Sequence, residues 1–216
     1  MSDKLILPDT HSLADTAPDG RMYAPSAARN IDAIIAVVAE HAPQQGAALE
    51  IASGTGEHAA ALARHLPGLI WQPSDPAEDR RRSIDAHAAG IENIRPAVAL
   101  NAAQPGWSAE HPDQALILTV NLLHLIPEPD AKTLIAEAAL ALASGGRLIL
   151  YGPFLRDGET TSDGDARFDA SLRAQDPRIG YKDDWDVIDW IHESWLELVQ
   201  VIEMPANNLC FVARKP

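Results

Sequence analysis

The sequence predicts an α/β fold with a mostly parallel sheet and helices on both faces. Three observations predict it. Short apolar runs alternate with helix-forming stretches along most of the chain. The turn Ser53-Gly54-Thr55-Gly56 follows the first such run and opens an Ala-rich stretch. Asp75 lies where the second run should end.

Taken in order, residues 1–25 are polar, with scattered Pro, Asp and Gly, and read as an irregular N-terminal segment. A helix is expected from Ser26, which can cap it, with Ile31, Ile34, Ile35 and Val38 on one apolar face and Pro43 and Gly46 ending it. Residues 47–52 form an apolar run that reads as a strand, and residues 58–66 as the helix after the glycine turn. Then come a strand at 69–72, a helix at 77–89, a strand at 94–100 and a strong strand at 115–121. A helix is expected at 129–143, with Pro129 in its first turn and Gly145-Gly146 as its stop, followed by a strand at 147–151.

After Tyr151 the alternation breaks down. Residues 152–182 are rich in Gly, Asp, Thr and Ser, with one short helix expected. A connection of this length is predicted to be a lid-like or substrate-binding insertion in a single domain spanning residues 26–216. A helix at 183–194 and strands at 196–203 and 209–214 complete the chain, the last two forming an antiparallel pair around a short link.

Composition narrows the function. Seventeen Lys and Arg face 31 Asp and Glu, a formal charge of −14, which disfavours nucleic acid as a partner. The lone Cys210 permits no intrachain disulfide, which fits a reducing cytoplasm. No apolar run is long enough to span a bilayer, so no membrane partner is expected. No metal-ligand spacing and no Gly-x-Ser-x-Gly elbow occur.

The chemistry concentrates around the glycine turn. Gly54 and Gly56 let the backbone pass close to a ligand, and the helix behind them offers free N–H groups. Asp75, 19 residues after Gly56, can accept the ribose hydroxyls of an adenosine. A dinucleotide also suits this pattern, because Gly54, Gly56 and Ala59 satisfy the loose form G-x-G-x-x-[G/A]. A plain tight turn is the bland alternative. Glu50 favours another ligand: a carboxylate inside the strand can meet the cationic amino group of a methionine moiety.

The residues from Glu50 to Gly56 resemble motif I of the class I methyltransferases. Longer words resemble one family of that group: Ser26-Ala27-Ala28-Arg29-Asn30, Trp71-Gln72-Pro73-Ser74-Asp75, Asn121-Leu122-Leu123-His124, Tyr151-Gly152-Pro153-Phe154, Phe168-Asp169-Ala170-Ser171-Leu172-Arg173, Asp176-Pro177 and Met204-Pro205-Ala206-Asn207-Asn208. The family is domain of unknown function 938, also named methyltransferase-like protein 26. The resemblance runs from about Ser26 to the C-terminus and implies a Rossmann-like class I methyltransferase fold: a seven-stranded sheet with a reversed last strand. It also implies S-adenosyl-L-methionine as cofactor. Glu50, Ala52 and Gly54 would lie near its methionine half and Asp75 on its ribose. Asn101 stands where the family pattern has an Asp that meets the adenine.

Acceptor residues are expected after the fourth and fifth strands. His124 is a candidate general base, or a histidine that positions a loop. Asn121 is a candidate for orienting substrate and for contacting the cofactor, or caps the strand end. Tyr151 and Phe154 can wall the methyl site or belong to the core. Arg29 and Arg173 can anchor anionic groups, Arg29 on the cofactor side and Arg173 on the substrate side, or form surface ion pairs. Tyr23, Asn207 and Asn208 complete the substrate candidates, the two asparagines being equally suited to a turn. The resulting expectation is an enzyme that methylates O, N or S of a small molecule. A non-catalytic S-adenosylmethionine-binding protein and an NAD-dependent oxidoreductase are the alternatives.

Overall fold

A computed structural model describes residues 14–216. Most of the expected N-terminal irregular segment lies outside these residues. Its described part is not irregular: β1 (Asp15–Thr16) and β2 (Met22–Tyr23) pair as a small antiparallel hairpin. The hairpin is tied down from outside. The Met22 amide donates to Ser83 Oγ at 2.8 Å, and His87 Nε2 lies 2.9 Å from the Met22 carbonyl.

Next come α1 (Pro25–His41), β3 (Gly46–Ile51), α2 (Glu57–His65), β4 (Leu69–Pro73) and α3 (Glu78–Ala88). They are followed by β5 (Gln114–Val120), α4 (Glu128–Ala141), β6 (Leu142–Pro153), α5 (Asp163–Gln175), α6 (Asp184–Glu193), β7 (Glu197–Met204) and β8 (Asn208–Arg214). Ser26 does not cap α1. The helix starts at Pro25, whose fixed φ and missing N–H suit a first-turn position, and Ala24 is the cap residue. The Glu57 carboxylate receives the Ala24 amide at 2.7 Å instead.

The main sheet has the order β4-β3-β5-β6-β8-β7. Strands β3, β4, β5 and β6 run parallel, and β8 runs antiparallel to both its neighbours, so the reversed last strand is as expected. The sheet has six strands among the described residues, not seven. Residues 94–100 contribute only isolated bridges, Trp71 to Ile94 and Ser74 to Val98. Proline explains the loss: Trp71 and Asp75 donate to the Asn93 and Val98 carbonyls, but Pro73 between them has no N–H to give the ladder.

Helix α1 and α2 pack Ile34, Val37, Val38 and Leu62 on one face with Trp71, Leu116 and Leu118. On the other face α4 and α6 pack Leu134, Ile135, Ala138, Val187 and Trp190 with Leu49, Ile117 and Phe211. Gly145-Gly146 do not stop α4, which ends at Ala141. They sit in a bulge of β6, where the β5 register jumps from Leu142 to Arg147.

The 152–182 segment carries a 13-residue helix, longer than expected. Ser162 caps α5, its Oγ accepting from the Asp165 amide at 3.2 Å. Only Leu172 of α5 is fully buried; it joins Leu125, Ile179 and Tyr181 in a small separate cluster. No helix among the described residues is long and apolar enough to cross a membrane.

Candidate functional site

The chain leaves β3, adds β4 on one side, then returns to β5 on the other. This switch in strand order opens a crevice at the carboxyl ends of β3 and β5. Two non-glycine residues at those ends adopt left-handed backbone, Ala52 (φ 55°) after β3 and Asn121 (φ 57°) after β5. Each such position costs about 1–2 kcal/mol for an ordinary L residue, less for Asn.

Between them runs the glycine turn. Gly54 (φ 58°) and Gly56 (φ 92°) are left-handed for different reasons. A Cβ on Gly56 would meet Ile84 Cα at 2.6 Å, so its bareness serves packing against α3. A Cβ on Gly54 would meet no atom closer than the Ala52 carbonyl at 4.0 Å, so its bareness serves open space above the loop. A dense network holds the turn. Ser83 Oγ donates to the Thr55 carbonyl at 2.7 Å, Thr55 Oγ1 to Glu57 at 2.9 Å, and Ser74 Oγ to the Glu50 carbonyl at 2.8 Å.

Two carboxylates flank this space. Asp75 is 3 % exposed and accepts from the Gly54 and Ala77 amides at 3.1 and 2.9 Å. Burial nevertheless pushes its carboxyl above the usual range, against those two hydrogen bonds and Arg80. Glu50 is 1 % exposed, and its Oε2 finds no hydrogen-bond partner among the described residues. Burial pushes it up to about 8, opposed by a hydrogen bond with the Ser53 side chain and reinforced by the nearby Asp75 charge. A buried carboxyl oxygen without a donor is costly, and a ligand's cationic N–H group would remove that cost.

Beyond β5, the single-turn helix Leu123–Leu125 carries His124, which is 2 % exposed. Its ring makes edge contacts with Phe168 and Tyr181 at centroid distances of 5.9 and 6.1 Å, and its carbonyl accepts from the Gly180 amide at 3.0 Å. Asn121 and His124 converge on Gly152 at the end of β6. A Cβ there would lie 3.8 Å from both Asn121 Oδ1 and His124 Nδ1.

The other candidates are more scattered. Tyr23 is 42 % exposed beside the hairpin and makes an edge contact with His87 at 5.0 Å. Arg29 is exposed on α1 and makes no ion pair among the described residues. Asn101 folds back, its Oδ1 accepting from the Ala103 amide at 3.1 Å. Tyr151 and Phe154 are buried on opposite faces of the sheet, Phe154 in edge contact with Phe211 at 4.9 Å. Arg173 binds Asp169 at 2.8 Å and the Tyr181 carbonyl at 3.1 Å. Asn207 (φ 59°) forms the β7–β8 turn with Ala206 (φ 58°) and donates to Asp165 at 2.9 Å, tying the hairpin tip to α5. Asn208 Nδ2 donates to the Pro205 carbonyl at 2.9 Å.

Three polar residues near these ends were not singled out as site residues from sequence. Asn30 Oδ1 lies 2.8 Å from His58 Nε2, and Asn30 also hydrogen-bonds Tyr151, joining α1, α2 and β6. Burial lowers His58 to about 4, so its ring is neutral. Lys182 donates to the Ile126 and Gly180 carbonyls at 2.9 and 2.8 Å, and burial lowers its amine to about 8. Asn30 and His58 show in the sequence as polar side chains inside helix-forming stretches, Asn30 also within the word Ser26–Asn30, whereas Lys182 carries no such signal.

Solved methyltransferases share this sheet. An O-methyltransferase family protein from Burkholderia thailandensis superposes with a TM-score of 0.71 at 17% identity, over 88% of this chain and 57% of its own. An O-methyltransferase family 2 protein from Planctomyces limnophilus, complexed with apigenin, gives 0.70 at 19% identity, over 88% and 60%. Human N-acetylserotonin methyltransferase, complexed with SAM, gives 0.73 at 13% identity, over 88% and 52%. The chain thus spans little more than half the length of these proteins, and the likeness is one of fold. A family model described as "Protein of unknown function (DUF938)" matches residues 21–215. With nearly the whole described chain matched, this protein belongs to the DUF938 family.

Proposed function

We propose that this protein is an S-adenosyl-L-methionine-dependent methyltransferase acting on a small-molecule acceptor at O, N or S. One observation carries the reading: the buried, partnerless Oε2 of Glu50 beside an open glycine turn. A dinucleotide would bring a pyrophosphate to this turn, which offers the buried Glu50 Oε2 no donor. An amino-acid end brings an ammonium group, which Glu50 lacks. SAM bound to the human relative supports the same choice.

In this reading Glu50 holds the amino group, the backbone of Ala52 and Gly54 leaves room for the methionine half, Gly56 seats the turn against α3, and Asp75 accepts from the ribose. Asn101 faces the adenine edge, and Arg29 and Asn121 complete the cofactor contacts. When bound, the cofactor supplies an electrophilic methyl group. The protein's own task is to align the acceptor and, where the acceptor carries a proton, to hold that proton. His124 Nδ1 is the proposed base and Asn121 Oδ1 the orienting group, since both face the bare position of Gly152. Residues 152–182 act as a lid resting on Leu125 and His124, with Arg173, Asn207, Asn208 and Tyr23 as the acceptor's surroundings and Tyr151 and Phe154 as core packing on the two faces of the sheet beneath them. The sequence words from Ser26 onward support placement with methyltransferase-like protein 26 inside the family. The buried lone Cys210 suits a cytoplasmic location.

Thermal-shift measurements with S-adenosylhomocysteine against NAD test the cofactor, and a broad methyl-acceptor screen tests turnover. Stabilisation by the first ligand alone is expected. Stabilisation by NAD alone would overturn the reading.

A further inference from the structure

Glu50 sits where its charge has little support. Its register partners are Pro73 on β4 and Leu118 on β5, neither of which carries a charge. On the β5 side Thr119 is also neutral, its hydroxyl donating to the Ile51 carbonyl at 3.1 Å. On the α1 and α2 side Asn30 is neutral and His58, paired with it, is held neutral by burial. From the end of β4 the charged group that acts on Glu50 is Asp75, an anion. Arg80 and Asp79 of α3 act on Asp75 with opposite signs. No salt bridge reaches Glu50 among the described residues, and its Oε2 has no donor.

We infer that Glu50 carries a proton in the unliganded protein and releases it when a ligand's cationic amino group docks beside it, so that cofactor uptake and proton release are one event. The inference rests on the cofactor reading above and adds its proton stoichiometry. The step balances simply. The Glu50 O–H bond breaks, the proton leaves to solvent, and the carboxylate left behind pairs with the ligand's ammonium group. No electrons are transferred. The burial that raises the carboxyl to about 8 is the same burial that makes an entering cation favour the ionised form. An anionic ligand would have the opposite effect and hold the proton in place, so the direction of proton flow reports the ligand's charge at this position.

The test is calorimetric titration of S-adenosylhomocysteine at pH 7 in buffers of different ionisation enthalpy. A group titrating near 8 is about nine-tenths protonated at pH 7, and the ligand's amino-acid end is already an ammonium there, so the net release is about 0.9 proton per ligand bound. In Glu50→Gln the release falls to near zero and affinity falls at least tenfold. A saturable heat with no buffer dependence overturns this proposal and leaves the cofactor reading standing. The absence of any saturable heat overturns both. Carboxyl-carbon NMR of the unliganded protein, with Glu50→Gln for assignment, supplies a check that needs no ligand. A midpoint near pH 8 is expected, and a Glu50 signal already ionised at pH 6 overturns the proposal.

Discussion

The amide of Gly54 donates to Asp75 Oδ2 at 3.1 Å, across 21 residues of sequence. The glycine turn and the acid one strand later are therefore one built unit. The bond leaves each carboxylate oxygen further acceptor capacity, because Oδ1 receives only the Ala77 amide from the backbone. Asp75→Asn keeps one acceptor oxygen and the same shape but loses the charge. It is expected to fold, and to bind S-adenosylhomocysteine roughly 10–100-fold more weakly, the loss of a charged hydrogen bond. Calorimetry on the variant measures it; unchanged affinity would remove Asp75 from the site.

Gly54 and Gly56 are predicted to fail differently when replaced. Gly56→Ala forces a Cβ to within 2.6 Å of Ile84 Cα at a φ of 92°, and is expected to cost about 3 kcal/mol of stability. Gly54→Ala, at a φ of 58° in open space, is expected to cost about 1 kcal/mol yet weaken ligand binding at least tenfold. Denaturant midpoints and calorimetry separate the two effects.

Glu50 makes the protein less stable as pH rises. Its folded value near 8 lies above the unfolded value of 4.5, so the folded state binds more protons between them. Stability is fully retained below about 4.5 and lost as pH climbs toward 8, by about 4–5 kcal/mol at roughly 1.4 kcal/mol per unit. Glu50→Gln removes this slope, so the variant should be the more stable protein at pH 8. Urea unfolding at pH 5 and pH 8 checks the sign.

His58 acts in the opposite sense. Its folded value near 4 lies below the unfolded 6.5, so stability present above pH 6.5 is lost as pH falls toward 4, by about 3 kcal/mol. His58→Gln keeps a polar partner for Asn30 and should flatten the acid limb of the pH–stability curve. A variant that loses stability in acid as steeply as the parent would contradict this account.

Lys182 fastens the 152–182 segment to the loop that holds His124, through the Ile126 and Gly180 carbonyls. Lys182→Met leaves both without this donor and is expected to cost about 2–3 kcal/mol. Hydrogen exchange should quicken in residues 155–182 while the strands keep their protection.

The central strands and their helices were readable from the sequence because apolar periodicity and glycine punctuation agree there. Residues 46–51, 57–65 and 114–120 fall within a residue or two of expectation. The strand at 94–100 failed because its neighbour β4 carries Pro73 in the middle of the shared ladder, and a ladder depends on N–H groups rather than on hydropathy. Ser26 failed as a cap because Pro25 starts the helix one residue earlier and puts Ser26 inside its first turn. At the site, Glu50, Gly54 and Asp75 come together as the motif spacing requires. The Asn30–His58–Tyr151 network was not readable, since it joins three elements that meet only in the folded chain.

The most direct test is a crystal structure with S-adenosylhomocysteine. The ligand is expected in the crevice between β3 and β5, its amino group within hydrogen-bonding distance of Glu50 and its ribose hydroxyls on Asp75. A ligand bound elsewhere, or one whose amino group turns away from Glu50, would contradict the cofactor reading.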